Sequence, residues 1–258
     1  MDKANRLRSS MSGIFDSLME IIYPPRCYIC NTFLREGVPG KGWLERHFCR
    51  TCMDDFSEIE TPFCTTCGRP FASLAGEDHI CEDCIRENPF YDMICVPYLY
   101  QGSIMTAIHQ FKYAGKSQLA DSLGPLMTAS ATKLFDNMNA CLLMPVPLHP
   151  KRLRERGFNQ GLLLTRNIAF QKEKEVDFLS LRRTRYTLPQ TGLNSKERRK
   201  NVRGAFEVTD KKGIQGRSIV LVDDVATTGN TLNECARVLK RAGCDKVFCM
   251  VLARTSGM

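Results

Sequence analysis

The sequence predicts an α/β domain preceded by a small, metal-held cysteine domain, and two observations carry that prediction. The first is the run Ile219-Val220-Leu221-Val222-Asp223-Asp224-Val225-Ala226-Thr227-Thr228-Gly229-Asn230-Thr231-Leu232. Its four leading apolar residues, mostly β-branched, read as a buried strand. Leu232, Cys235, Ala236 and Leu239 then recur at helical spacing until Ala242-Gly243 closes the helix. The second is a set of four C-x-x-C pairs in the first third of the chain, which in a reducing compartment argues for metal rather than disulfides.

The chain has 258 residues, enough for two domains, and at 43% hydrophobic and 25% charged it can bury a substantial core. No apolar run approaches the roughly 18 residues a membrane span requires. Asp16 and Glu20 interrupt what would be the apolar part of a signal peptide, so the expected location is the cytoplasm. A net charge of +8 points to an anionic ligand or partner, and its basic residues crowd at 151–156, 182–185 and 196–203.

From the N-terminus, residues 12–22 can form a short amphipathic helix, with Ile14, Phe15, Leu18, Ile21 and Ile22 on one face and Pro24-Pro25 ending it. Cys27-x2-Cys30 and Cys49-x2-Cys52 are separated by 18 residues, Cys64-x2-Cys67 and Cys81-x2-Cys84 by 13. Each turn presents two thiolates to one ion, and two turns complete a tetrahedral sulfur set, which suits zinc; an iron–sulfur cluster is the alternative. Sequential pairing makes a double zinc ribbon, and an interleaved cross-brace stays open. This polar, glycine-containing stretch has little core, so metal must supply its stability, about 10–16 kcal/mol per site in zinc-finger peptides. Four cysteines leave no open position, so both zinc ions are expected to be structural. His47 and His79 read as surface or supporting residues, and Trp43, Phe48, Phe56 and Phe63 as small cores or as stacking platforms for single-stranded nucleic acid.

The larger domain is expected to start near Asn88-Pro89, which divides the chain into an N-terminal helix (1–23), a cysteine domain (24–88) and an α/β domain (89–258). Residues 93–99 read as a strand that Pro97 confines to an edge or a start. Helical patterning follows over 103–113 and 117–135. An apolar strand at 141–146 stops at Pro145-Val146-Pro147-Leu148-His149-Pro150, directly before Lys151-Arg152-Leu153-Arg154. His149, Lys151 and Arg152 thus form a second candidate anion site, against the plainer reading of a solvated basic helix start. After a helix at 159–170, the polar segment 181–206 is either disordered or an active-site lid. A last strand at 246–252 completes the pattern.

The chemistry lies at the end of the organising strand. In an α/β sheet, ligands bind beyond the carboxyl ends of the strands. A loop of small residues opening a helix exposes backbone N–H groups to an anion, and Thr227, Thr228 and Thr231 add hydroxyls. Asp223 and Asp224 can accept hydrogen bonds from vicinal hydroxyls or hold Mg²⁺. Together these groups describe a site for a ribose 5-phosphate. A hydrophobic strand ending in acids also describes a Walker B, but Gly115-Lys116-Ser117 has Gln110 where a P-loop needs glycine. The bland alternative is a buried strand with solvated acids at its tip.

The organising stretch resembles the phosphoribosyl-diphosphate (PRPP) loop of type I phosphoribosyltransferases. Four features occur in order: the C-x-x-C pairs, P-V-P-L-H-P-K-R-L-R-E-R-G-F-N-Q, an Arg-rich Q-T-G-L segment with E-R-R-K-N-V, and V-D-D-V-A-T-T-G-N-T. On these the chain is identified as a member of the ComF family, whose likeness covers nearly all of it from about Ile21. The resemblance implies a type I phosphoribosyltransferase core, a mostly parallel sheet with helices on both faces, behind a double zinc ribbon. It implies that Asp223 and Asp224 face the ribose hydroxyls, and that Val225, Ala226, Thr227, Thr228, Gly229, Asn230 and Thr231 wrap the 5-phosphate. Pyrophosphate would meet His149, Lys151 and Arg152 with Mg²⁺ bridging, under a cover carrying Arg185, Gln190 and Arg198. Asp223, Asp224, Arg185 and Arg198 are then the expected catalytic set. Some members have an acid where Thr227 stands, so no general base is assigned here. The expected reaction transfers the phosphoribosyl group from PRPP to an unidentified base or amine. The rival is a module that senses PRPP or binds single-stranded DNA or a competence-machinery protein, since some members handle incoming DNA.

Overall fold

The cysteine pairs and the strand–helix alternation fold into two compact units, Met1–Asp54 and Asp55–Met258. The computed structural model describes residues 24–34, 44–73, 75–136, 138, 140–187 and 195–256, except the side chains of Ser195, Lys196 and Arg198. The expected helix at 12–22, Trp43, Gln190 and the side chain of Arg198 therefore lie outside the described residues.

In the first unit, an antiparallel bridge joins Arg26 to Phe33 across a turn in which Asn31 takes φ 65°. Helix α1 (Arg50–Asp54) carries Cys52 inward, where it is buried with Cys27 and Leu34 and flanked by Ile29 and Cys49. Phe48 is buried in the same unit, and a metal on the four thiols would add stability to it.

The second unit opens with α2 (Glu82–Glu87), β1 (Met93–Cys95) and β2 (Tyr98–Leu99). The strand expected at 93–99 is thus broken at Val96-Pro97, and both pieces pair with one neighbour at the sheet edge, because proline cannot donate to a ladder. Helix α3 (Gly102–Tyr113) buries Ile104, Ala107, Ile108 and Phe111. The helix expected at 117–135 is a 3-10 turn followed by α4 (Ala120–Ser130) and α5 (Thr132–Asp136). Strand β3 (Cys141–Pro145), α6 (Pro150–Arg156), α7 (Gln160–Lys172) and β4 (Glu175–Val176) come next. Then β5 (Leu181–Arg183) and β6 (Phe206–Val208) pair antiparallel as a separate ribbon, with α8 (Ser195–Val202) between them in sequence. Strand β7 (Ser218–Ala226), α9 (Asn230–Arg241) and β8 (Val247–Arg254) finish the unit.

The main sheet runs β1-β8-β7-β3-β4, with β2 also on β8, and every pairing in it is parallel. Central β7 is buried on both faces, which is why residues 219–222 are continuously apolar instead of alternating. On one face Ile219, Leu221, Leu142, Met144 and Cys249 pack with Leu232, Cys235, Ala236 and Leu239 of α9. Val220, Val222, Leu143, Met250 and Leu252 are equally buried and, by the alternation of a strand, face the other way, where α4 and α7 pack on β8, β7 and β3. Residues 55–88, expected in the cysteine domain, belong to this larger unit by packing: Cys64, Cys67 and Cys81 are buried in the same core as α9. Among the described residues no helix is long and apolar enough to cross a membrane.

Candidate phosphoribosyl site and cysteine centres

Successive strand residues point to opposite faces, so the two acids at the end of β7 meet different surroundings. Asp224 is buried and accepts an ion-pair bond from Lys112 Nζ of α3 at 2.8 Å. Burial works against the Lys112 ammonium, but the Asp224 carboxylate outweighs it and raises the lysine above its ordinary value. Asp223 is half-buried and accepts from its neighbour's backbone, Asp224 N to Asp223 Oδ1 at 2.9 Å. Burial first, and the adjacent Asp224 charge second, push the Asp223 carboxyl up to about 7, while Lys112 and Arg183 pull it down. The pair is therefore unequal: one carboxylate is internally neutralised, the other is free but reluctant to ionise.

The turn after β7 bends where Gly229 takes φ 74°, a left-handed conformation that caps α9 and that L side chains avoid. A Cβ there would also lie 3.3 Å from Tyr91 Oη. Thr228 Oγ1 is buried with no hydrogen-bond partner among the described residues, which an oxyanion would supply. Thr255 ties the turn from below, its N–H donating to Ala226 O at 3.2 Å and its hydroxyl to Thr227 O at 3.3 Å. The first turn of a twelve-residue helix adds its dipole at this point.

The basic side is built by α6 and the β5–β6 ribbon. His149 caps α6, its Nδ1 accepting from Lys151 N at 3.2 Å. Lys151 Nζ lies 4.8 Å from the centre of the Tyr186 ring. Thr187, itself buried, joins two cations: Arg152 Nη2 donates to its carbonyl at 3.3 Å and Arg183 Nη2 to its hydroxyl. Burial, then the Arg152 charge, hold the Arg183 guanidinium below its usual value. Arg185 donates to the carbonyls of Asn201 and Arg203 at 2.9 and 2.8 Å, linking the ribbon to the end of α8. Asp223 and Asp224 thus lie at the carboxyl end of β7, while His149, Lys151 and Arg152 follow the carboxyl end of β3 at the start of α6.

Lys112 and Arg183 did not stand out in the sequence. For Lys112 a signal was present, because it continues the buried row Ile104, Ile108 at i+4 spacing, and a lysine on an apolar stripe needs a buried partner. Arg183 is one of several arginines in its run, and nothing local distinguishes it.

The cysteines pair sequentially. The sulfurs of Cys27, Cys30, Cys49 and Cys52 lie within 4.8 Å of one another, as do those of Cys64, Cys67, Cys81 and Cys84. Cys30 and Cys49 are 3.5 Å apart and Cys67 and Cys81 3.9 Å, close to the about 3.8 Å edge of a tetrahedron with Zn–S bonds near 2.3 Å. Cys67 N and Cys81 N donate to Cys64 Sγ at 3.4 and 3.3 Å, the kind of support that metal thiolates receive. Burial raises the Cys64 thiol, but these backbone donors prevail and bring it down to about 7. Donor set and spacing suit two zinc ions.

Family models match at both ends of the chain: a double zinc ribbon domain over residues 18–85 and a phosphoribosyl transferase domain over residues 170–257. The chain is 32% identical over 232 residues to the DNA utilization protein YhgH of Escherichia coli O157:H7, covering 84% of this chain and 98% of that one. It is 28% identical over 214 residues to competence protein F of Haemophilus influenzae, covering 80% and 90%. A solved structure, the glutamine PRPP amidotransferase of B. subtilis, is similar at 18% identity and TM-score 0.34, over 54% of this chain and 26% of that one.

Proposed function

The chain belongs to the ComF family of competence and DNA utilization proteins, and on that premise we propose that it binds PRPP or ribose 5-phosphate and transfers the phosphoribosyl group with release of pyrophosphate. The observation that carries this reading is the junction of β7 and α9, with a left-handed glycine, an unpartnered buried Thr228 hydroxyl and an acidic pair just before it. The 5-phosphate occupies the turn 226–231, where N–H groups and threonine hydroxyls converge. The ribose hydroxyls meet Asp223 and Asp224. Pyrophosphate lies toward Lys151, Arg152 and Arg183.

In the transfer, the C1–O bond to pyrophosphate breaks, its electron pair leaves with pyrophosphate, and an acceptor nitrogen of a base or amine supplies the new bond. Positive charge grows on the ribose and negative charge on the leaving group, so catalysis rests on positioning and on cations already in place. Asp223 is the free carboxylate of the pair and fits a Mg²⁺ ion, which is commonly held by one or two carboxylates and substrate phosphates and would neutralise the leaving group. The segment between β5 and β6, with Arg185 and Arg198, acts as the cover that keeps water from the ribosyl centre. Reduced cysteine quartets fit work in the cytoplasm.

One observation favours binding without turnover: Asp224 is already paired with Lys112, and no general base stands in the loop. The relatives' names speak of competence and DNA utilization, and a sensing or single-stranded-DNA-binding module would suit them. Pyrophosphate release from Mg-PRPP, measured across nucleobases and small amines beside ribose 5-phosphate calorimetry, separates the readings. Transfer predicts release with at least one acceptor. Binding without release with any acceptor supports the sensing module, and no binding of either sugar phosphate overturns transfer and sensing alike and leaves the single-stranded-DNA module.

A further inference from the structure

The second cysteine quartet lies against the phosphate turn and does not form a detached module. Its first knuckle is bonded to the sheet edge, Ile94 N donating to Thr66 O at 2.8 Å. Gly68 sits so close that a Cβ would fall 2.6 Å from Val96 Cγ1. The last residue of β8, Arg254, is 2% exposed and donates through Nη1 to Cys67 O. Arg254 is also the register partner of Ala226, the last residue of β7. Its neighbour Thr255 holds the carbonyls of Ala226 and Thr227. Tyr91, buried in the core that contains Cys67 and Cys81, backs Gly229. Arg254, its neighbour Thr255 and Tyr91 thus connect the turn to the quartet.

We infer that the quartet Cys64, Cys67, Cys81 and Cys84 is the scaffold of the phosphate turn, with Arg254 and Tyr91 as positioning residues between them, so that sugar-phosphate binding requires metal at this quartet. The physical reason is restraint. Arg254 is a buried cation, tolerable only with fixed acceptors and negative charge nearby. The Cys67 carbonyl is one such acceptor, and four thiolates on one Zn²⁺ leave a net anionic cluster beside the guanidinium. A knuckle without its metal cross-link no longer fixes that carbonyl, and the end of β8 loosens with it. The quartet Cys27, Cys30, Cys49 and Cys52 belongs to the other unit, Met1–Asp54, and serves as the comparison. This rests on the phosphoribosyl reading for its ligand, though not for the coupling itself.

The test uses the full-length zinc-loaded protein with three variants: Cys84→Ser, Cys30→Ser and Arg254→Met. Zinc content, ribose 5-phosphate affinity and amide hydrogen exchange at residues 226–231 are measured for each. Cys84→Ser is expected to lose one zinc, the protection of the turn, and about tenfold or more in affinity, the range seen when supports behind a metal site are removed. Arg254→Met keeps both zinc ions and shares the other two losses. Cys30→Ser loses one zinc and neither protection nor affinity. Wild-type protection in Arg254→Met, or equal losses in Cys30→Ser, overturns the coupling. Should Cys84→Ser or Arg254→Met fail to fold, chelating the remaining zinc from Cys30→Ser makes the same comparison: retained protection at 226–231 overturns the inference. If the wild type binds no ribose 5-phosphate, the phosphoribosyl reading falls, while hydrogen exchange still decides the coupling.

Discussion

Lys112 and Asp224 illustrate what one buried ion pair demands of its members. Each alone would be an uncompensated charge, so removing one partner costs about 3–5 kcal/mol, whereas removing both costs far less. Lys112→Met is therefore expected to lower the urea midpoint strongly, and Lys112→Met with Asp224→Asn to recover most of the loss. A double variant no more stable than the single one would show that the pair is not coupled. Asp223 gives a pH signature. Its carboxyl titrates near 7 when folded and near ~3.9 when unfolded. Between those values the folded state binds the extra proton, so this group lowers stability as pH rises from about 4 to about 7. Asp223→Asn removes that loss, and its advantage over wild type should be about 2–3 kcal/mol larger at pH 8 than at pH 5. Urea unfolding at both pH values without added Mg²⁺ checks it, and an advantage independent of pH overturns it.

At the scale of elements, turns carry the specificity and strands the rigidity. Gly229→Ala puts a side chain at φ 74° and 3.3 Å from Tyr91 Oη, a strain of about 1–2 kcal/mol. Ribose 5-phosphate affinity should fall with little change in the far-ultraviolet circular dichroism, because the sheet and α9 are held by their own cores; unchanged affinity would remove the turn from the site. Arg185 donates to two carbonyls at the end of α8, the groups a helix leaves unpaired. Arg185→Ala should speed amide exchange in α8, and no change there would return Arg185 to solvent. Strand β8 was expected to end at residue 252, yet it continues to Arg254. A charged residue normally marks a strand's emergence into solvent, and only the cysteine knuckle across from it explains why this one stays buried.

For the whole molecule, two cysteine quartets predict two zinc ions per chain, and elemental analysis of protein purified without chelator that finds none would overturn both centres. The two ions serve different structures. One quartet lies in the first unit beside the buried Cys27, Leu34 and Cys52, the other is embedded in a phosphoribosyltransferase-like sheet domain. The sequence alone was enough to recognise the α/β class, the central strand, the glycine turn after it and the eight cysteines that cluster in two quartets, because each is written in local spacing: 3.6 for helices, continuous burial for a central parallel strand, two intervening residues for a metal knuckle. It also sufficed for the family. Local spacing carries no information about which distant groups meet. That Lys112 neutralises Asp224, that Arg183 and Arg152 converge on Thr187, and that Arg254 joins Cys67 to the end of β7 were decided only by the packing of α3, the β5–β6 ribbon and β8. Apart from the local Arg183–Thr187 bond, those contacts span from 35 to 187 residues of chain, and no pattern within a strand or helix could encode them.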